Sequence, residues 1–191
     1  MRKTSFIIAF IIVLSQFGNN IYSQQEYKYY YKYFQTALKL FSQEKFEEAL
    51  VYFKKLDSIP EQYITKKNEE HKYFVDGKPV AELKILLKYH IGICYLNRKY
   101  EKAKGISYLE FVLKTKYPKI PEDVYNDIGT LYHLNYQFDR AVLCFEKYLE
   151  IYKEKYLTIN KSKDESYDYA NRMLQKSKNA QTFYNDSLKI N

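Results

Sequence analysis

Three histidines, two cysteines and five glycines are the residues of this chain with the most chemistry to offer. Histidine supplies metal ligands and general bases, and paired cysteines supply metal or redox sites. His71, His90 and His133 share no ligand spacing, and Cys94 and Cys144 form no C-x-x-C pair. Gly18, Gly77, Gly92, Gly105 and Gly129 make no phosphate-cradling loop, which a nucleotide site would require. The sequence therefore predicts no catalytic residue, no metal, no cofactor and no small-molecule substrate, and the chain reads as something other than an enzyme. Function must then come from surfaces.

The 191 residues suit one domain plus a targeting segment. An aromatic share of 18% is too high for a disordered chain, and two cysteines cannot build a disulfide framework. The formal charge of +8 raises nucleic acid as a partner. Basic residues are interleaved with acids, however, as in Glu101-Lys102 and Lys153-Glu154-Lys155, which reads as a solvated face. The abundance of Lys, Tyr, Ile and Asn is also what an A/T-rich genome encodes by default.

Met1-Arg2-Lys3 is a cationic start, followed by an apolar run from Phe6 to Leu14 and a polar stretch to Ser23-Gln24. That is the order of a secretory signal peptide over 1–23, cleaved after Ser23. The apolar run is about half the roughly 20 residues a spanning helix needs, which sets an uncleaved anchor as the second reading. Cleavage removes Arg2 and Lys3 and no acid, so the charge falls from +8 to +6. No other apolar run approaches a span, so the chain is expected to be exported, with any membrane attachment made through a partner.

The rest of the chain shows a repeat. Tyr125, Ile128 and Tyr132 mark one helical face that also holds Gly129, and Ala141, Phe145 and Tyr148 mark the next helix. Glycine inside a helix costs about 1 kcal/mol relative to alanine, and close approach of a second helix at Ala141 would offset it. Phe138 stands in the turn, with Asp139 as N-cap. Upstream, Ile91, Gly92 and Tyr95 lead through Tyr100 to Ala103, Ile106 and Leu109. Earlier still, Tyr33, Ala37 and Leu40 lead through Phe46 to Ala49, Phe53 and Leu56. Small residue follows small residue across each turn at spacings of 12 (Ala37 to Ala49), 11 (Gly92 to Ala103) and 12 (Gly129 to Ala141).

This pattern resembles the tetratricopeptide repeat, a helix–turn–helix unit of about 34 residues. The resemblance implies an all-α fold: a right-handed helix-pair solenoid of about three repeats, near 27–60, 81–118 and 121–155, within a domain of 24–186. A capping helix over 164–184 carries Tyr169, Ala170, Met173, Leu174, Ser177 and Ala180, and 187–191 is a tail. Between the first two repeats lies an insertion, 62–82, readable as a hairpin turning at Asp76-Gly77 or as an isolated loop. Cys94 and Cys144 fall on faces that neighbouring repeats keep apart, which favours two buried thiols over a bridge. Repeat packing is assigned to Ala37, Ala49, Phe53, Gly92, Tyr95, Ala103, Leu109, Gly129, Tyr132, Ala141 and Phe145.

In such a solenoid the first helices line a concave groove that takes a peptide. The outward residues there are Tyr31, Phe34, Leu38 and Phe41, then Tyr89, Ile93, Leu96 and Asn97, then Asn126, Thr130 and His133. These form the expected partner-binding groove, unless the aromatics pack against the N-terminal segment or the insertion instead. Phe34 and Tyr89 stand where some repeat proteins place a carboxylate-clamping lysine.

A narrower resemblance rests on Gly92-Ile-Cys-Tyr-Leu-Asn97, Glu101-Lys-Ala-Lys104, Ile106-Ser-Tyr-Leu-Glu110, the run Ile128-Gly-Thr-Leu-Tyr-His-Leu-Asn-Tyr-Gln-Phe-Asp139 and Lys178-Asn-Ala180. These stretches look like the N-terminal repeat domain of Bacteroidetes envelope proteins that continue into a β-propeller and an OmpA-like peptidoglycan-binding domain. Ser177 departs from the family's frequent cysteine. The resemblance implies a protein–protein interaction scaffold of the envelope, linked to outer-membrane or type IX secretion assembly. Because the chain stops at Asn191, the alternative it implies is the front domain of a peptidoglycan-tethering structural protein. Cleavage predicts a native polypeptide that begins at Gln24. Intact mass of the protein from fractionated cells tests this, and retention of residues 1–23 would reject the signal-peptide reading.

Overall fold

The computed structural model describes residues 30, 32–59, 74–75, 78–118, 120–156 and 165–189. The segment 1–23, Tyr31, most of the 62–82 insertion and the last two residues of the tail lie outside the described residues. The helices are α1 (32–42), α2 (Phe46–Asp57), α3 (Val80–Asn97), α4 (Lys104–Thr115), α5 (Asp123–Leu134), α6 (Phe138–Tyr156) and α7 (Glu165–Lys189). The fold is all-α apart from one antiparallel ladder of two-residue strands, β1 (Phe74–Val75) and β2 (Lys78–Pro79), which pairs Phe74 with Pro79. The second strand ends at Pro79, and Val80 opens α3. Two compact units divide between Lys84 and Ile85, inside α3.

The first unit is organised by aromatic rings. Phe53 of α2 is fully buried and receives Phe34 and Phe41 of α1 edge-on, each at 6.3 Å between centroids. Phe41 also meets Phe46 at 5.4 Å. Ala37 and Ala49 are both fully buried, and the absence of larger side chains there lets rings on either side fill the space. Phe34 is 4% exposed; it is a core residue, not the outward groove residue expected from its position.

In the second unit the α3–α4 crossing is closer. A Cβ added at Gly92 would lie 2.4 Å from Leu109 Cδ2, and one at Gly105 would lie 2.9 Å from the Gly92 carbonyl oxygen. The small residue that meets Gly92 is therefore Gly105, and the assignment of Ala103 to this role is corrected. Ala103 is exposed and precedes the first residue of α4. The reason is turn length: residues 98–103 separate α3 from α4, whereas 135–137 separate α5 from α6. The longer turn is pinned by Lys102 Nζ, which donates to the Leu96 carbonyl. At the α5–α6 crossing Gly129 faces the Phe145 ring at 3.0 Å and Cys144 Cβ at 3.2 Å, again measured from an added Cβ.

Each of the three turns that join the helices of a pair contains one non-glycine residue in the left-handed region: Glu44 (φ 59°), Glu101 (φ 60°) and Tyr136 (φ 60°); Lys116 (φ 50°), at the end of α4 and between pairs, is a fourth among the described residues. Such a residue reverses the chain within a few positions at a conformational cost that glycine would avoid. Asp139 is not an N-cap; α6 begins at Phe138, and the Asp139 carboxylate accepts a hydrogen bond from Gln181 Nε2 at 2.6 Å. The starts of α2, α4 and α5 likewise lack side-chain caps. α7 packs on α6 through Tyr167 against Tyr152 (4.9 Å) and through the Lys178–Glu146 ion pair (2.8 Å), burying Ala170, Leu174 and Ser177.

Gly105→Ala and Gly92→Ala should each lower the thermal midpoint, by about 1–3 kcal/mol of overpacking less the helix propensity that alanine regains. Gly105→Ala should be the worse of the two, because backbone cannot step aside as the Leu109 side chain can. Ala103→Ser should be near neutral. Thermal unfolding by circular dichroism decides, and an Ala103 effect as large as that of Gly105 would reverse the assignment.

Candidate functional site

The positions expected to line a groove separate into three groups. Phe34 and Ile93 are buried, and Phe41 is held between Phe46 and Phe53, so these belong to helix packing. Thr130 and His133 of α5 are covered by α7. Thr130 Oγ1 donates to the Asn126 carbonyl (2.9 Å) and lies 3.3 Å from the Tyr169 hydroxyl. His133 Nδ1 is 2.9 Å from Ser177 Oγ, whose own hydroxyl donates to the Met173 carbonyl; the histidine is therefore the donor. Burial, and then Lys176, hold the His133 imidazole below its ordinary value. Both residues sit inside a helix interface because a further helix packs on this side of α5. Leu38, Tyr89, Leu96 and Asn126 are half-buried and Asn97 is exposed, while Tyr31 lies outside the described residues. Asn97 spends its amide on the Ile93 carbonyl at 3.0 Å.

The repeat-packing residues other than Ala103 are all buried. Tyr132 does more than pack. Its hydroxyl donates to Glu110 Oε1 at 2.7 Å, Arg140 Nη1 donates to the same oxygen at 3.0 Å, and the guanidinium lies 5.0 Å from the Tyr132 ring centre. One carboxylate of α4 thus ties α5 to α6. Cys144 beside this cluster is half-buried, and burial pushes its thiol up to about 11, which leaves it unreactive at neutral pH. Cys94 is buried, and both cysteines are free thiols.

Between α3 and α5, Tyr89 faces Asp123 and Asp127. Burial and then the Asp127 and Asp123 charges raise the Tyr89 hydroxyl, while burial and then Asp123 push Asp127 up to about 7. The Oδ1 atom of neighbouring Asn126 is buried without a hydrogen-bond partner. Two carboxylates one helical turn apart cannot both ionise cheaply when one of them is buried.

A second concavity opens where the last turns of α7 run past the α5–α6 turn. It holds about 370 Å³ and is lined by Tyr136, Gln137, Phe138, Asp139, Arg140, Gln181, Tyr184 and Asn185. None of these was singled out from sequence as a binding residue, because the cleft joins segments more than 40 positions apart, from Tyr136 to Gln181. The one local signal was an aromatic residue at the tip of a tight turn. Among the described residues no group of three or more His, Cys, Asp or Glu gathers as a metal site, and no helix is long and apolar enough to cross a membrane. No family model, curated protein or solved structure matches the chain.

Asp127 gives a pH signature. Its folded value lies above the unfolded one, so its contribution to stability is full below about pH 4 and is lost as pH rises through about 7. Asp127→Asn should raise the thermal midpoint above pH 7 and flatten its pH dependence across that window. An identical profile in wild type and variant would show that Asp127 titrates normally.

Proposed function

We propose that the protein is an exported scaffold of the tetratricopeptide type, a right-handed helix-pair solenoid that holds partner proteins in the cell envelope and carries out no reaction. The observation that carries this reading is the recurrence of one design. A first helix, a turn with a left-handed residue and a second helix follow one another three times, at Glu44, Glu101 and Tyr136. Small residues lie buried at the crossings: Ala37 and Ala49, Gly92 and Gly105, Gly129 and Ala141. Repeat arrays of this kind expose more surface per residue than a compact domain and use it for protein contacts.

Export is supported by the signal-peptide order of residues 1–23, and an envelope role by the resemblance to Bacteroidetes repeat domains. On this reading the protein lies in the periplasm and reaches the outer membrane through partners, with a link to outer-membrane or type IX secretion assembly. The groove residues that remain accessible, Leu38 in the first unit and, separately, Tyr89, Leu96, Asn97 and Asn126 in the second, are the contact positions.

Site-specific photo-crosslinking in cells tests the assignment. A benzophenone side chain at Asn97 or Leu38 should yield a discrete adduct with an envelope protein. The same group at Leu143, 66% exposed on the second helix α6, should yield none. Adducts from Leu143 and not from Asn97 or Leu38 would move the partner surface away from the first helices.

A further inference from the structure

Tyr136 is an expensive residue for its place. Of the three turns, two put glutamate at the left-handed position and this one puts a bulky ring there, where asparagine or glycine would be less strained. Folding recovers little in return. The ring is 79% exposed and touches Phe138 edge-on at 6.1 Å. Across the cleft Tyr184 is 52% exposed, and Phe183 beside it is 78% exposed.

Between these rings stand groups that bond hydrogen in both directions. Gln181 Nε2 donates to Asp139 Oδ1, and Arg140 Nη1 donates to Glu110 and to Gln137 Oε1 at 3.2 Å. Arg140 is therefore already matched by Glu110, whereas the Asp139 carboxylate is held by an amide rather than by a cation. Among the described residues nothing hydrogen-bonds the Asn185 amide or the Tyr136 and Tyr184 hydroxyls. An anion would meet the Asp139 carboxylate and a guanidinium already paired with Glu110. An aliphatic chain would strip water from three carboxamides and an ion pair without replacing their bonds.

A sugar ring meets both requirements. Its C–H face lies against the electron-rich face of an aromatic ring, and each hydroxyl donates and accepts, as carboxamides together do. The volume of about 370 Å³ is ligand-sized. We propose that this cleft binds a neutral oligosaccharide, stacked on Tyr136 and Tyr184 and held at its hydroxyls by Asp139, Gln181 and Asn185. The site is separate from the groove residues, so it stands or falls independently of protein capture.

The test is saturation-transfer NMR with calorimetry on the whole exported chain, using chitotetraose and cellotetraose as probes. At least one should bind. Tyr136→Asn should weaken binding about tenfold or more while the thermal midpoint holds or rises, because asparagine tolerates the left-handed backbone. Tyr184→Ala and Asn185→Ala, both at exposed positions of α7, should weaken it without unfolding the chain. No binding of either probe overturns the proposal, and so does binding that survives all three substitutions. If tyrosine-bearing peptides saturate the cleft and the sugars do not, it is a protein contact and the proposal fails.

Discussion

The approach of α3 to α4 is limited by two hydrogen atoms. A Cβ added at Gly105 would lie 2.9 Å from the Gly92 carbonyl oxygen, and the missing Cβ of Gly92 leaves room for Leu109. That contact draws the second helix of the pair close enough for Tyr95 to stack on Tyr108 at 5.9 Å. It also presents Glu110 to the next pair. From there the dependence runs onward, because Glu110 orients Tyr132 and Arg140 together. A side chain at Gly105 would press on backbone and push α4 outward, and one at Gly92 would displace Leu109.

The two ends of the repeat region meet the same problem by different means. In the first pair the crossing is made by two alanines, and the space is taken by rings packed edge to face around Phe53. In the last pair Gly129 accommodates Phe145, and the open side of α5 is closed by α7 through Thr130, His133, Tyr169 and Ser177. Polar groups turned inward on α5 are thereby satisfied by hydroxyls of α7, which is why a polar first-helix face reads as a groove in sequence and as an interface in structure.

α7 also overhangs. Its last turns extend beyond α5 and bring Gln181, Tyr184 and Asn185 opposite the turn at Tyr136. The cleft so formed depends on a strained turn on one side and on helix length on the other. It forms because α7 is longer than either helix of the pair it covers.

Much was legible in residue spacing. Tyr125, Ile128 and Tyr132, or Tyr33 and Ala37, declare helices because a 3.6-residue period puts them on one face, and glycines inside such faces announce close crossings. The helix-pair order, the buried set around Phe53, Leu109 and Phe145, and the lack of any ligand spacing follow from such local regularities. Three things did not. Ala103 and Gly105 are both small and two positions apart, and only the length of the turn after Asn97 decides which one reaches Gly92. Phe34 and Leu38 are both apolar on α1, and only the position of Phe53 decides which is enclosed. The cleft joins Tyr136 to Tyr184 across an entire helix, and no spacing rule connects them. Local periodicity fixes which residues share a face, because it is set by the backbone of a single helix. Which face is covered depends on where the next helix lies, and that is settled only when the helices pack.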